Sequence, residues 1–390
     1  MKKYGFIMHP LSLDEVCTFE PNAAGKPERL VEKMLEWMPP FVIAHREGVA
    51  SPLSRVEGIM ICMPLLPQQI LGLNSDFVLD KIVEAGKLAE EKGVDLIGLG
   101  AFTSVVGNRG KKIAERLSLP VTTGSSFTAY SAVEALKMSA RKMKLELSET
   151  TAVVVGATGS IGAVCAQLLA PQVKKIILAG RQISPPLLRL AELIGPNAEV
   201  TDNTSAALGQ AKLILSATNA IGPVIETAKL LPGSIVCDVA RPRDVATRVS
   251  GRRDVLVIEG GVIKLPGQSE LVTDYRVDLG MPDFLTFACE AETILLTMDK
   301  KFESFSLGRT IPLEKVNTIA EIGDRHGFEL AGLRNFGKDI SRADIRRVRR
   351  TARFRRIREK LKISSKNGWA RARAKAGKAK DRAGKSRRSA

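Results

Sequence analysis

The chain is poor in the residues that staple small folds together. Its five cysteines (Cys17, Cys62, Cys165, Cys237 and Cys289) are scattered over 390 residues and odd in number. That spacing excludes a disulfide scaffold and lacks the close pairing of a zinc knuckle, pointing to a reducing, cytoplasmic setting. Long apolar runs are missing too. Ile59 to Leu73 is broken by Pro64, Pro67 and two glutamines, and Ala152 to Ala170 by Gly, Thr and Ser. A membrane span needs about 20 dominantly apolar residues, so no transmembrane helix is expected. Lys2 and Lys3 open the chain, but His9 and Pro10 end the apolar stretch behind them before it reaches the length of a signal-peptide core.

What is present is enough apolar material for a sizeable core: hydrophobic residues make up 44% and charged residues 26%. At about 150 residues per domain, the length suggests two domains and an extension. The net charge of +17 is unevenly spread. From Arg334 onward there are 23 Lys and Arg against 4 Asp and Glu, a net of +19, which leaves −2 for residues 1–333.

Residues 1–148 alternate short apolar runs with helical spacing. Tyr4 to Met8, Gly58 to Met63 and Val94 to Leu99 read as strands, Phe77 to Lys92 and Phe127 to Lys144 as helices, together an N-terminal α/β substrate domain. From 149 to 282 the pattern is regular. Apolar β-branched runs at 151–155, 175–179, 211–215, 234–239 and 254–258, with helix-length spacers, predict a doubly wound parallel (Rossmann) sheet. Over 283–333 two helices are expected, Asp283 to Lys300 and Leu313 to His326, the second stopped by Gly327, closing the cleft between the domains. The basic tail, 334–390, starts with an Arg-rich stretch of helical character. Beyond about residue 363 its apolar surface is too small to offset the ordering entropy, and a largely disordered tail is expected.

The run Thr151-Ala-Val-Val-Val155 leads straight into Gly156-Ala157-Thr158-Gly159-Ser160-Ile161-Gly162 and a helical segment. Glycines at such a turn let backbone N–H groups approach a pyrophosphate at the positive end of the helix, so Gly156 to Ile161 are candidate dinucleotide contacts. The next strand ends in Gly180-Arg181, where an NAD enzyme would offer Asp or Glu to the ribose 2′-hydroxyl. Arg181 can instead pair with a 2′-phosphate, which favours NADPH. Thr218 and Gly260-Gly261 follow further strands, at the carboxyl ends where ligands bind in open sheets, although ordinary turn chemistry explains them equally well.

Among the cysteines, Cys62, Cys165 and Cys237 read as buried small hydrophobes. Cys289 lies at the edge of the apolar stripe of its helix, able to look into a cleft, though the wheel alone leaves a core cysteine the leading reading. His326, just before Gly327, reads as a helix C-terminal cation rather than a catalytic base.

The segments Gly98-Leu-Gly-Ala-Phe-Thr-Ser104, Thr122 to Tyr130, Val154 to Gly162, Phe287-Ala-Cys289-Glu-Ala-Glu, Ser306-Leu-Gly-Arg309 and Arg325-His-Gly-Phe328 resemble those of the cyanobacterial long-chain fatty acyl-acyl carrier protein reductases. The glycine loop is common to many dehydrogenases, whereas the Phe-Ala-Cys and Thr-Ala-Tyr segments are more specific. The resemblance implies an NADPH-dependent, aldehyde-forming reductase in which the cysteine of Phe-Ala-Cys, here Cys289, carries the acyl group as a thioester. It also implies acyl carrier protein or acyl-coenzyme A as substrate, with the Thr122 to Ser126 loop and Tyr130 as candidate oxyanion donors. The chain differs from the family at Asp238 to Pro242, which is less rich in glycine, and in its basic tail.

Two other readings compete. One is a shikimate dehydrogenase-like or glutamyl-tRNA reductase-like oxidoreductase, the other a nucleic-acid-binding protein with a cofactor-sensing Rossmann core. The +19 tail suits an acidic protein, nucleic acid or anionic lipid.

Overall fold

The N-terminal sheet is built on β1 (Lys2–Met8), β2 (Phe41–Ala50), β3 (Arg55–Cys62), β4 (Leu96–Leu99) and β5 (Val121–Thr122). A computed structural model describes residues 1–246, 252–273, 275, 282–359 and 361. In it β1 lies parallel between β3 and β4, β5 extends the parallel set, and β2 runs antiparallel on β3. Two glycines shape the face of this sheet. A Cβ on Gly58 would fall 2.2 Å from the Tyr4 ring and one on Gly98 would fall 2.0 Å from Thr293 Oγ1, so both keep room for side chains crossing the sheet.

The second sheet contains β6 (Thr151–Val155), β7 (Lys175–Ala179), β8 (Ala198–Thr201), β9 (Leu213–Ser216), β10 (Ile235–Asp238) and β11 (Leu256–Glu259). All pair in parallel, in the order β11-β10-β9-β6-β7-β8. This is the doubly wound arrangement, and strand order reverses beside β6, so the ligand crevice opens at the carboxyl ends of β6 and β9. The five runs read as strands are all present. The edge strand β8 was not expected, because its Ala-Glu-Val-Thr sequence is only partly buried and has no continuous apolar run.

The chain then returns to the first sheet through β13 (Gly267–Val272), while β12 (Val262–Lys264), β14 (Leu285–Phe287) and β15 (Glu329–Leu330) form a separate three-stranded sheet. β13 pairs antiparallel with β2, and β12 is flanked by β14 and β15. The last strand of the second sheet ends at Glu259, as read, and the remaining residues up to 282 of the segment assigned to that domain add no strand to it. The expected helix Asp283 to Lys300 is also corrected: Leu285–Phe287 is extended to pair with β12, and the helix runs over Ala288–Met298. Leu313–His326 is helical as read, closed by Gly327 at φ +75°.

The boundary placed at 334 is displaced as well. Arg334–Asn335 and Lys338–Asp339 form a small hairpin, and residues 342–359 are helical. Ile345, Val348 and Ala352 of this helix are buried in the core of the second sheet. Apolar residues at this spacing give the helix an inward face among its arginines. Residues 362–390 lie outside the described residues. Among those described, no helix is long and apolar enough to cross a membrane.

Candidate active site

Helix Ala288–Met298 lies against β1, β3 and β4 on one side and the Ser125–Met143 and Leu313–His326 helices on the other. Every residue of it is buried except Cys289. Cys289 sits in the first turn, where backbone N–H groups point outward, and lines a cavity of about 640 Å³ between the two sheets. Phe6, Met8, Phe19, Ile43 and Met60 make one wall apolar; Val239, Gly260 and Gly261, at the carboxyl ends of the second sheet, make the other. The other cysteine in this wall, Cys62, is buried, as are Cys165 and Cys237. Gly124, in the left-handed conformation at φ +68°, starts the Ser125–Met143 helix, and a Cβ there would stand 2.2 Å from the Cys289 Cα. Only glycine lets this second helix N-terminus approach the cysteine so closely.

Burial, followed by the charge of Glu290, pushes the Cys289 thiol up to about 12, against the opposing pull of backbone N–H groups and Arg241. The neutral thiol is therefore the resting form near pH 7. Glu290 is not free to act as its base. It is held by Arg46 at 2.7 Å, by the Tyr4 hydroxyl at 2.8 Å and by Thr286. Arg46 further donates to Ser269 Oγ at 3.1 Å and to the Asp283 carbonyl at 2.7 Å. This buried cluster fixes the first turn of the cysteine helix to the first sheet. His9 lines the cavity, but both ring nitrogens are engaged, one with the Pro10 carbonyl at 2.9 Å and one with the Phe102 N–H at 3.1 Å. Burial lowers it to about 4, so it stays neutral.

The hydroxyls proposed as oxyanion donors are turned inward instead. Thr122 donates to buried Glu292 at 2.5 Å, Thr123 to the Ser306 carbonyl at 2.6 Å, and Ser126 pairs with Ser306 Oγ at 2.6 Å. Tyr130 stacks on Phe127 and feels Asp324 and Glu134, outside the cavity lining. His326 is buried beside Ser51 at 2.8 Å, and burial lowers its basicity, so it is not the helix-end cation expected.

Two arginines line the cavity, Arg241 and Arg243, and both face Glu259, Arg243 at 2.6 Å and Arg241 Nη2 at 3.7 Å. Arg241 stands over the Phe287 ring at 4.9 Å and donates from Nη1 to the Ala240 carbonyl at 2.8 Å, while its buried Nη2 makes no hydrogen bond. It belongs to the segment singled out as poor in glycine. Asp238 starts that segment and accepts N–H groups from Ala240, Asp244 and Val245; burial raises its carboxyl to about 6.

The glycine loop has the geometry of a pyrophosphate cradle. Gly156 takes φ +82°, and a Cβ on Gly162 would meet the Gly156 carbonyl at 2.3 Å, so the loop can fold tightly over the start of helix Ser160–Leu169. Ala157 is buried in the core, Thr158 is exposed, and Gly159, Ser160 and Ile161 lead into the helix. Thr218 is brought beside Gly156, its Cγ2 3.2 Å from where a Cβ would stand, but its hydroxyl donates to Asp244 at 2.5 Å. Thr158, Arg181, Gln182 and Ser184 line a separate hollow of about 360 Å³ at the end of β7, where the ribose of a dinucleotide would lie. These residues fit an adenine dinucleotide. Sequence reasoning found the loop and Cys289 but missed Arg46, Glu290, Tyr4 and Arg241, which only the fold brings to the same place.

Comparison with known proteins agrees with this geometry. Residues 137–259, which include the whole second sheet, match the Shikimate / quinate 5-dehydrogenase family. Aminotransferase PigE of Serratia sp. is 34% identical over 369 residues, 89% of this chain. The chain spans only 42% of that protein. Long-chain acyl-[acyl-carrier-protein] reductase of Synechococcus elongatus is 26% identical over 84% of this chain and 98% of its own length. Among solved structures, glutamyl-tRNA reductase from Methanopyrus kandleri superposes with a TM-score of 0.28 at 25% identity, covering 47% of this chain and 46% of that one. The family match and the likeness to the acyl-carrier-protein reductase, with the cradle described above, support an NAD(P)-dependent oxidoreductase.

Proposed function

We propose that this chain reduces an acyl thioester to an aldehyde, using NADPH and a covalent intermediate on Cys289. The observation that carries the reading is that Cys289, the one partly exposed residue of an otherwise buried helix, lines a largely apolar cavity whose far wall is the ligand edge of the dinucleotide sheet. A thiol is a suitable nucleophile for such a substrate, because its thioester is more electrophilic than an ester and the thiolate is a good leaving group. The likeness to the long-chain acyl-carrier-protein reductase, which runs over nearly the length of that protein, supports an acyl chain carried by carrier protein or coenzyme A.

In the first half-reaction the Cys289 sulfur bonds to the acyl carbon, the incoming C–S bond breaks, and the departing thiol leaves with the proton Cys289 gives up. When bound, NADPH supplies a hydride to the carbonyl carbon of the acyl-enzyme. The resulting hemithioacetal oxygen carries a proton taken from solvent. As the C–Sγ bond breaks, that proton returns to sulfur and the aldehyde leaves. Arg241, a lining residue whose Nη2 makes no hydrogen bond and stands 3.7 Å from Glu259, stabilises the oxyanion of either step. The apolar wall holds the chain, and the Arg46–Glu290 cluster keeps the cysteine in position. Arg181, in the hollow after β7, recognises the 2′-phosphate.

The test is mass spectrometry of the enzyme after incubation with an acyl thioester without cofactor. An acyl adduct on Cys289, discharged as aldehyde when NADPH is added, is the expected result. Aldehyde production by Cys289→Ala would overturn the covalent route.

A further inference from the structure

The first sheet's domain sends an arginine into the cofactor crevice of the second. Gly107, Asn108 and Arg109 take φ of 58°, 54° and 55° in succession, a left-handed stretch that non-glycine residues adopt only against a steric cost. Its effect is to aim the Arg109 side chain across the cleft. Nη1 donates to Ser160 Oγ at 3.0 Å, in the first turn of the helix after the glycine loop, and Nη2 comes within 4.0 Å of the Cβ position of Gly159.

The surroundings of Arg109 are cationic. The Gly308 N–H donates to its carbonyl at 3.0 Å, which tethers the segment bearing Arg309, and the Lys111 side chain lies against Gly308. Burial and the charge of Arg309 together make the Arg109 guanidinium less basic than usual. Among the described residues no carboxylate forms an ion pair with Arg109 or Arg309. Arg109, at this helix N-terminus and close enough to Arg309 to feel its charge, has no carboxylate partner among the described residues, and the group that the loop is shaped to receive is a pyrophosphate.

We propose that Arg109, backed by Arg309, clamps the pyrophosphate of the bound dinucleotide from the opposite domain. This rests on the dinucleotide reading of the glycine loop and not on the thioester chemistry. It divides recognition between two arginines, Arg181 reading the 2′-phosphate and Arg109 the part common to NADPH and NADH.

The test is direct titration of full-length wild type, Arg109→Gln, Arg109→Lys and Arg181→Asp with NADPH, NADH, adenosine 2′-monophosphate and acyl-coenzyme A. Arg109→Gln is expected to weaken both dinucleotides by about tenfold or more and by the same factor, since a charge-assisted contact to phosphate is lost. Arg109→Lys recovers part of that loss. Adenosine 2′-monophosphate, which has no pyrophosphate, is expected to bind Arg109→Gln as it binds wild type, which also reports that the variant is folded. Arg181→Asp should show the reverse pattern. Dinucleotide affinity changed less than threefold in Arg109→Gln would overturn the clamp. So would weaker binding of acyl-coenzyme A with cofactor binding intact, which would assign Arg109 to a substrate phosphate. If wild type binds neither dinucleotide, the underlying dinucleotide reading fails instead.

Discussion

Replacing Arg46 by leucine should destabilise the protein more than any single change on its surface. The Arg46–Glu290 contact is 2.7 Å with side chains 1% and 3% exposed, so water cannot take over the solvation of a charge left behind. Arg46→Leu strands the Glu290 carboxylate, and Tyr4 and Thr286 offer it hydrogen bonds but no positive charge. Breaking such a pair from one side costs about 3–5 kcal/mol. At about 2–4 °C per kcal/mol for a chain of this order of size, the thermal midpoint should fall by at least about 6 °C. Removing both charges is different in kind. Arg46→Met combined with Glu290→Gln leaves no buried ion, and most of the loss should be recovered. Thermal unfolding of wild type, the single variant and the double variant decides the matter. A single variant within about 2 °C of wild type, or a double variant no better than the single, would refute the reasoning.

Three further outcomes follow from the site. With its thiol raised to about 12, Cys289 should be alkylated by iodoacetamide at a rate that climbs about tenfold per pH unit between pH 7 and 9; a plateau below pH 9 would mean that the resting thiolate is already formed. Arg181→Asp should lower the preference for NADPH over NADH by at least about tenfold, read from the ratio of specificity constants, because a lost phosphate pairing is worth about 1.5–3 kcal/mol. Deleting 340–390 removes Ile345 and Val348 from the core at about 1.5–3 kcal/mol each and should lower the unfolding midpoint, whereas ending the chain at Leu361 should leave it in place; equal midpoints for the two truncations would show that the helix over 342–359 contributes nothing to the fold.

How far the sequence revealed the fold depended on whether each element carried its signal within itself. Parallel strands buried on both faces read as continuous apolar runs, which is why Thr151–Val155 and Lys175–Ala179 were legible. Val262–Lys264 and Gly267–Val272 are short and mixed in polarity, and they owe their extended form to partners distant in sequence, Leu285–Phe287 and the first-sheet strand β2. Leu285–Phe287 was absorbed into a helix for the same reason: its pairing with β12 lies outside any local window. The Arg-rich segment misled through composition. Its high charge hid three inward residues, Ile345, Val348 and Ala352, whose spacing mattered more than the arginines around them.

The candidate site divides along the same line. The glycine loop is a local device, in which seven consecutive residues specify turn, close approach and helix start, so it could be read directly. Cys289 could be placed on the edge of a helix, but what distinguishes it is a property of the folded core: its ten helix companions are buried and it is not. The groups that govern its chemistry are more distant still. Arg46 and Tyr4 reach Glu290 across 244 and 286 residues of sequence, and Arg241 arrives from a loop that sequence comparison marked only as a departure. Such pairings have no period and no motif, since each depends on two sheets being brought face to face. The sheet pairing does this by sending β13 back to the edge of the first sheet after the second is complete. A site built this way would put the proposed nucleophile on one domain and the proposed cofactor cradle on the other, and its geometry is complete only when both halves are folded together.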